Sequence, residues 1–285
     1  MWIKIIVTVV AALALTWAAA YFAGARRWGG ITRELHQTLD SAESAPSNTR
    51  VQLQSLDALP PPVQRYLRLV LSEGQPVIRR VRIVHEGTFN MAQGGERWFP
   101  FDSRQMVTAH RPGFDWDGTV RIAPGVPIRV HDAYAGGAGL LQASLFGLVD
   151  VAHLAGGGAI AEGKLMRWLA EAAWYPPVLL PGGAVRWRAV DDTSAEATVT
   201  DGDVSVTLLV RFGADGLIEG IYSPARGRSV DGRTETAPWE GRFRAYAQRG
   251  GMQVPTEGEV GWHVDGRWLP YWRGRIVDIA YEFAE

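Results

Sequence analysis

One carboxylate stands out by its place in a pattern. In the run Ile128-Arg-Val-His-Asp-Ala-Tyr134, four residues, Ile128, Val130, Asp132 and Tyr134, alternate with Arg129, His131 and Ala133. Period-two alternation marks a strand with one buried face, and it puts Asp132 among the apolar positions. A carboxylate there needs a partner, or burial costs several kcal/mol. It either pairs with an arginine from a neighbouring strand or stands at the floor of a cavity as a base or ligand anchor. Arg167 and Glu171 have the i,i+4 spacing of a helix-surface pair, which contributes only a few tenths of a kcal/mol. If their helix crosses a cavity mouth, the same pair would face a ligand head group. In Tyr222-Ser-Pro-Ala-Arg-Gly-Arg228, Arg226 and Arg228 follow a strand and either hold an acidic group or stand solvated in a loop.

Other chemistries lack their residues. His85, His110, His131 and His153 are more than twenty residues apart, and there is no HExxH. Adjacent His131 and Asp132 point to opposite faces of a strand, so no metal site is expected. With no cysteine, disulfides, thiolate metal sites and cysteine nucleophiles are excluded. Gly136-Gly-Ala-Gly139 and Gly156-Gly-Gly158 lack the lysine and Ser/Thr of a phosphate-binding loop, and no G-x-S-x-G elbow exists. Neither a cofactor nor a catalytic residue is assigned. A formal net charge of −1 offers no basic excess for phosphates, so nucleic acid is not an expected partner. Only Lys4 and Lys164 are lysines among 29 basic residues, and twelve tryptophans suit a β-rich core or an aromatic-lined cavity.

The elements that must position these residues follow from periodicity. From Val77 onward alternation dominates, as in Val81, Ile83, His85, Gly87 and Phe89, or Trp116, Gly118, Val120 and Ile122. No βαβ rhythm is present, so the sheet should be antiparallel. One helical stretch interrupts it. At 100° per residue Leu165, Met166, Trp168, Leu169, Ala172 and Ala173 share an apolar arc, with Lys164, Arg167 and Glu171 opposite. Pro176-Pro177 should end that helix near Trp174. A shorter amphipathic helix is expected after Pro60-Pro-Pro62, with Val63, Tyr66, Leu67 and Val70 on one side.

The N-terminus is apolar from Ile5 to Ala25 apart from two threonines, about 30 Å as a helix and enough to cross a bilayer. Trp2, Trp17 and Tyr21 have the character of interfacial anchors. A cleaved signal peptide is the rival reading, since Ala23-Gly24-Ala25 fits a small-x-small site. Charge flanks favour a cytoplasmic C-terminal domain, whereas the signal-like design favours export; an extracytoplasmic domain is the expectation. Residues 1–28 form the anchor, 29–54 a juxtamembrane helix and polar linker (Ser41 to Arg50), and 55–285 a single β-rich domain.

A set of segments carries a resemblance: Leu59-Pro60 with Val63-Gln-Arg-Tyr-Leu67, Pro112-Gly-Phe-Asp-Trp116, Asp132-Ala-Tyr134, Glu171-Ala-Ala-Trp-Tyr-Pro176, Trp239-Glu-Gly241 and Tyr271-Trp-Arg-Gly274. Through them the chain resembles an uncharacterised family of bacterial membrane-associated proteins that brings no agreed activity. More remotely, the plan is similar to periplasmic lipoprotein carriers, which hold acyl chains in an unclosed barrel. The expected fold is α+β and β-rich. It is a large curved antiparallel sheet or partly open barrel of about ten to twelve strands. A helix over about 160–174 lies against the concave face. The expected function is a membrane-tethered envelope protein that binds an apolar or lipid-like ligand. Asp132, Tyr134, Arg167, Trp168, Glu171, Trp174 and Arg226 are expected to line the site or orient a polar end. Two alternatives stand beside it: a hydrolase using Asp132 or Glu171 as general base, and an accessory protein of an envelope complex with no small ligand.

Overall fold

A computed structural model describes residues 1–43, 50–92, 95–230 and 233–284. Helix α1 (Trp2–Ala42) is followed by a 3-10 turn (Leu53–Ala58) and α2 (Pro61–Val70). Six strands come next: β1 (Ile78–Asn90), β2 (Trp98–Thr108), β3 (Gly113–Ala123), β4 (Val126–Ala135), β5 (Ala138–Leu145) and β6 (Val149–Gly156). Helix α3 (Ala159–Ala170) interrupts the strands. Seven more complete the chain: β7 (Val185–Ala189), β8 (Ser194–Asp201), β9 (Val204–Phe212), β10 (Ile218–Val230), β11 (Arg233–Arg249), β12 (Met252–Val264) and β13 (Arg267–Phe283).

All thirteen form one antiparallel sheet in the order β6-β5-β4-β3-β2-β1-β13-β12-β11-β10-β9-β8-β7. Two meanders, one before α3 and one after it, are joined where the first strand pairs with the last, with Val81 opposite Tyr281 and Gly87 opposite Gly274. The count exceeds the expected ten to twelve because the apolar segment Leu140 to Val151 is a hairpin. Its second strand, β6, is a sheet edge whose Val149, Val151 and Leu154 are exposed, so burial imposes no alternation there.

Helix α3 ends at Ala170, one turn before the expected stop. The chain continues as two 3-10 turns, Glu171–Trp174 and Pro176–Leu179, and Tyr175 between them leaves helical geometry at φ −139°, as a residue before proline does. The helix crosses the concave face of the sheet. Leu165, Trp168 and Leu169 pack into one core with Leu208 and Val210 of β9 and Tyr66 and Leu67 of α2. Trp168 is fully buried and donates its indole N–H to the Thr108 carbonyl at 3.0 Å, while the Tyr175 hydroxyl donates to the Trp168 carbonyl at 2.6 Å.

Helix α1 runs unbroken through position 28, and the polar linker expected at Ser41 to Arg50 lies mostly outside the described residues. Its first half is exposed, and it is the one helix among the described residues long and apolar enough to cross a membrane. Its second half docks on the convex face of β3 and β4. There Trp28 is buried, stacks on His131 at 4.4 Å and donates to Asp117 at 2.8 Å. His131 Nδ1 meets the buried Asp115 at 2.8 Å, and His36 reaches its other oxygen at 3.2 Å. These contacts hold the Asp115 carboxyl below its ordinary pKa although burial alone would raise it.

Candidate functional site

Alternation sends Asp115, Asp117 and His131 outward and their neighbours Trp116 and Asp132 inward, so His131 and Asp132 serve opposite faces. No cluster of three metal-ligating residues exists among the described residues.

Inside, on the side of α3 away from Trp168, lies a cavity of about 780 Å³. That volume falls within the range of about 300–1,000 Å³ typical of small-molecule sites. Its wall is aromatic: Trp116, Trp174, Trp239, Trp262, Trp268 and Trp272 line it with Phe89, Phe243 and Tyr271. Three of these tryptophans share a local device. Trp116, Trp239 and Trp272 each precede a glycine by two residues (Gly118, Gly241, Gly274), on the same face of the strand. A Cβ at Gly118 or Gly274 would collide with the indole of its own Trp, and one at Gly241 would touch Trp239 at 4.0 Å. The rings thus lie back over backbone and leave space above them instead of filling it.

Polar groups gather where α3 meets β4. Asp132 accepts from Arg167 Nη1 at 2.5 Å and forms an ion pair with Lys164, while Arg167 Nε donates to Glu171 at 2.7 Å. Gln105 donates to the second Glu171 oxygen at 2.5 Å, and the Arg167 guanidinium stacks over Phe114 and Trp116 at 5.1 and 5.3 Å. The four charged side chains are between 11% and 18% exposed. This corrects two expectations. Arg167 and Glu171 are not a solvated surface pair, because the polar face of α3 walls the cavity. The partners of Asp132 come from that helix and not from a neighbouring strand. Burial would raise the Asp132 pKa, but Lys164 and Arg167 outweigh it and hold the carboxyl below its usual value. Burial, with Arg226 and Arg167 close by, pulls Lys164 down despite its partner.

Arg226 enters the same cavity from β10. It is 9% exposed, stacks over Trp239 at 4.2 Å and gives one N–H to the Gly163 carbonyl at 2.8 Å. Its Nη1, and the indole nitrogens of Trp116, Trp174, Trp268 and Trp272, are buried without a hydrogen-bond partner among the described residues.

Of the seven expected site residues, Asp132, Arg167, Glu171, Trp174 and Arg226 line the cavity. Tyr134 and Trp168 lie elsewhere. Tyr134 is fully buried with its hydroxyl on Asp201 at 3.0 Å, and Trp168 sits in the core behind α3. Lys164 and five of the lining tryptophans were not singled out, although the Trp-x-Gly spacing and the rarity of lysine are both visible in the sequence.

His85 sits behind this wall, 4.9 Å from the Trp174 ring and against Ser103. Burial, helped by Arg167, pushes its pKa down from 6.5 to about 3. The folded state keeps it neutral while the unfolded chain takes up a proton below 6.5. The stabilisation is therefore complete above pH 6.5 and is lost progressively as pH falls toward 3. Between pH 7 and 5 the unfolding free energy should drop by about 2 kcal/mol from this group. In His85→Phe that part of the pH dependence should vanish, as urea unfolding at the two pH values would read.

No curated protein matches the sequence. Among the solved structures that resemble it are two at 12% identity and a TM-score of 0.40. One is a LolA-superfamily protein from Nitrosomonas europaea, matched over 80% of this chain and 93% of that one. The other is a putative outer-membrane lipoprotein-sorting protein domain from Vibrio parahaemolyticus, over 71% and 85%. Residues 57–281 match a family of unknown function, DUF6920, and the chain belongs to that family.

Proposed function

We propose that this is a membrane-tethered, extracytoplasmic binding protein whose cavity takes an amphiphile, an apolar body with oxygen acceptors at its polar end. The observation that carries the reading is the cavity's chemistry. An aromatic wall that its own strands hold open is studded with N–H donors lacking acceptors among the described residues. Apolar burial at about 25 cal/mol per Å² would supply the affinity. The Trp116, Trp174 and Trp272 donors and Arg226 would fix a carboxylate, ester or phosphate, since a buried donor gains most from a partner it otherwise lacks. Asp132 suits this role better than that of a general base. Two cations already occupy its oxygens and lower its basicity.

The test is native mass spectrometry of the full chain, extracted gently from its own host's membranes, followed by lipid analysis. One bound acyl-containing molecule per chain is expected, and a chain that arrives empty overturns the reading. Arg226→Met keeps an unbranched apolar side chain but removes the guanidinium that lies over Trp239 and its N–H to Gly163. It should weaken retention roughly tenfold or more, a loss larger than the accompanying fall in stability.

A further inference from the structure

The contacts of α1 fix the end of the sheet at which its apolar half leaves the domain. Traced back toward Met1, they climb β3. Leu39 lies against Gly113, His36 meets Asp115 and Trp28 meets Asp117. Arg27 then binds the Gly147 carbonyl at 2.9 Å, and Trp17 donates to the Gly125 carbonyl at 3.1 Å. Gly24 allows this path, since a Cβ there would collide with the Phe146 carbonyl. Beyond Trp17 the apolar half of α1 leaves the domain at the end of the sheet that carries the β3–β4 and β5–β6 turns.

The cavity lies toward that same end. Phe89 pairs with Phe99 and Phe101 with Val120, which puts the end of β1 and the start of β2 level with the β3–β4 turn. Phe89, Asn90, Ala92 and Glu96 border the cavity there. Toward the other end α3 and its core residues close it. At this end of the sheet Met91 is 44% exposed, Leu148 37% and Val149 61%, while the charged, exposed Glu96, Asp265 and Arg267 border the cavity itself. Tyr21 stacks on Trp17 at 5.5 Å and lies under Arg129 at 5.8 Å, which places an amphipathic aromatic pair at the same level.

We propose that the cavity mouth rests on the bilayer that α1 crosses, with the end of β1 around Met91 and the β5–β6 turn in the head-group layer. The ligand then passes between that leaflet and the cavity without crossing water. The unbroken α1, locked to β3 and β4 by Trp28, His36 and Leu39, would hold the mouth in this orientation. The proposal rests on the binding reading for its ligand, but the seating of the rim can be measured by itself.

Because the chain has no cysteine, single nitroxide labels can be placed cleanly. The full chain would carry Met91→Cys, Val149→Cys or Asp192→Cys, the last in the exposed β7–β8 turn at the opposite end, in nanodiscs of phosphatidylcholine and phosphatidylglycerol. Collisional access to oxygen relative to a water-soluble nickel chelate should be severalfold higher at 91 and 149 than at 192. Equal, water-like access at all three positions overturns the proposal. Lipid retained in the cavity, read by native mass spectrometry on the same samples, separates the two ideas. A loaded chain with a water-exposed rim refutes the seating alone, and a seated rim with an empty cavity refutes the binding reading.

Discussion

Asp132→Ala is expected to lower the unfolding free energy of the full chain by about 3–5 kcal/mol, the usual cost of stranding buried charge. Lys164 and Arg167 would keep their positive charges at 11% and 18% exposure with one carboxylate fewer between them. Glu171 already holds Arg167 through Nε with one oxygen and Gln105 with the other. Asp132→Asn, which keeps shape and an acceptor, should cost less. Replacing the cluster together, Asp132→Leu with Lys164→Met and Arg167→Met, should recover most of the loss, because well-packed apolar groups often equal a buried ion pair in stability. Urea unfolding in detergent micelles reads all three. A loss below about 1 kcal/mol for Asp132→Ala would mean that the cluster is solvated as exposed pairs are, and the picture of a dry cavity floor would fail. The triple variant also separates roles: recovered stability with lost ligand retention would make the cluster a device for binding.

Trp168→Ala should be comparably severe, at about 3–5 kcal/mol for removal of a fully buried indole. The side chain fills the space between α3 and the core around β9, and its N–H satisfies the Thr108 carbonyl. Trp168→Phe should recover part of the loss, leaving a smaller void and the orphaned carbonyl. The contrast with Trp174→Ala is informative. Trp174 borders the cavity and its indole nitrogen has no partner among the described residues, so a smaller thermodynamic cost and a larger effect on ligand retention are expected. Equal stability losses in the two variants would show that Trp174 is ordinary core.

How much of this was legible beforehand depended on the range of the interaction. The strands around Val81, Trp116 and Val130 were readable because side-chain direction in a strand repeats every two residues, a purely local rule. The same rule set Asp132 inward and His131 outward, as the register of β3 and β4 has it. The end of the helix was readable to within one turn because a proline pair acts on its immediate neighbours. The Arg167–Glu171 contact was readable from i,i+4 spacing alone, but its environment was not.

By itself, then, the sequence determined an antiparallel β-rich chain with one interrupting helix, an N-terminal segment fit to cross a bilayer, and a carboxylate turned toward the interior. The tertiary structure alone decided that β1 pairs with β13, which joins two meanders into one sheet across about two hundred residues of chain. It also decided that the polar face of α3 looks into a cavity, so that Lys164 joins Asp132 and Arg226 comes from β10 to meet them. Amphipathicity tells which side of a helix is apolar, but not whether water or an aromatic wall stands opposite the polar side. That depends on groups far apart in sequence, and here the tryptophans lying back over their glycines keep the space open in front of Asp132.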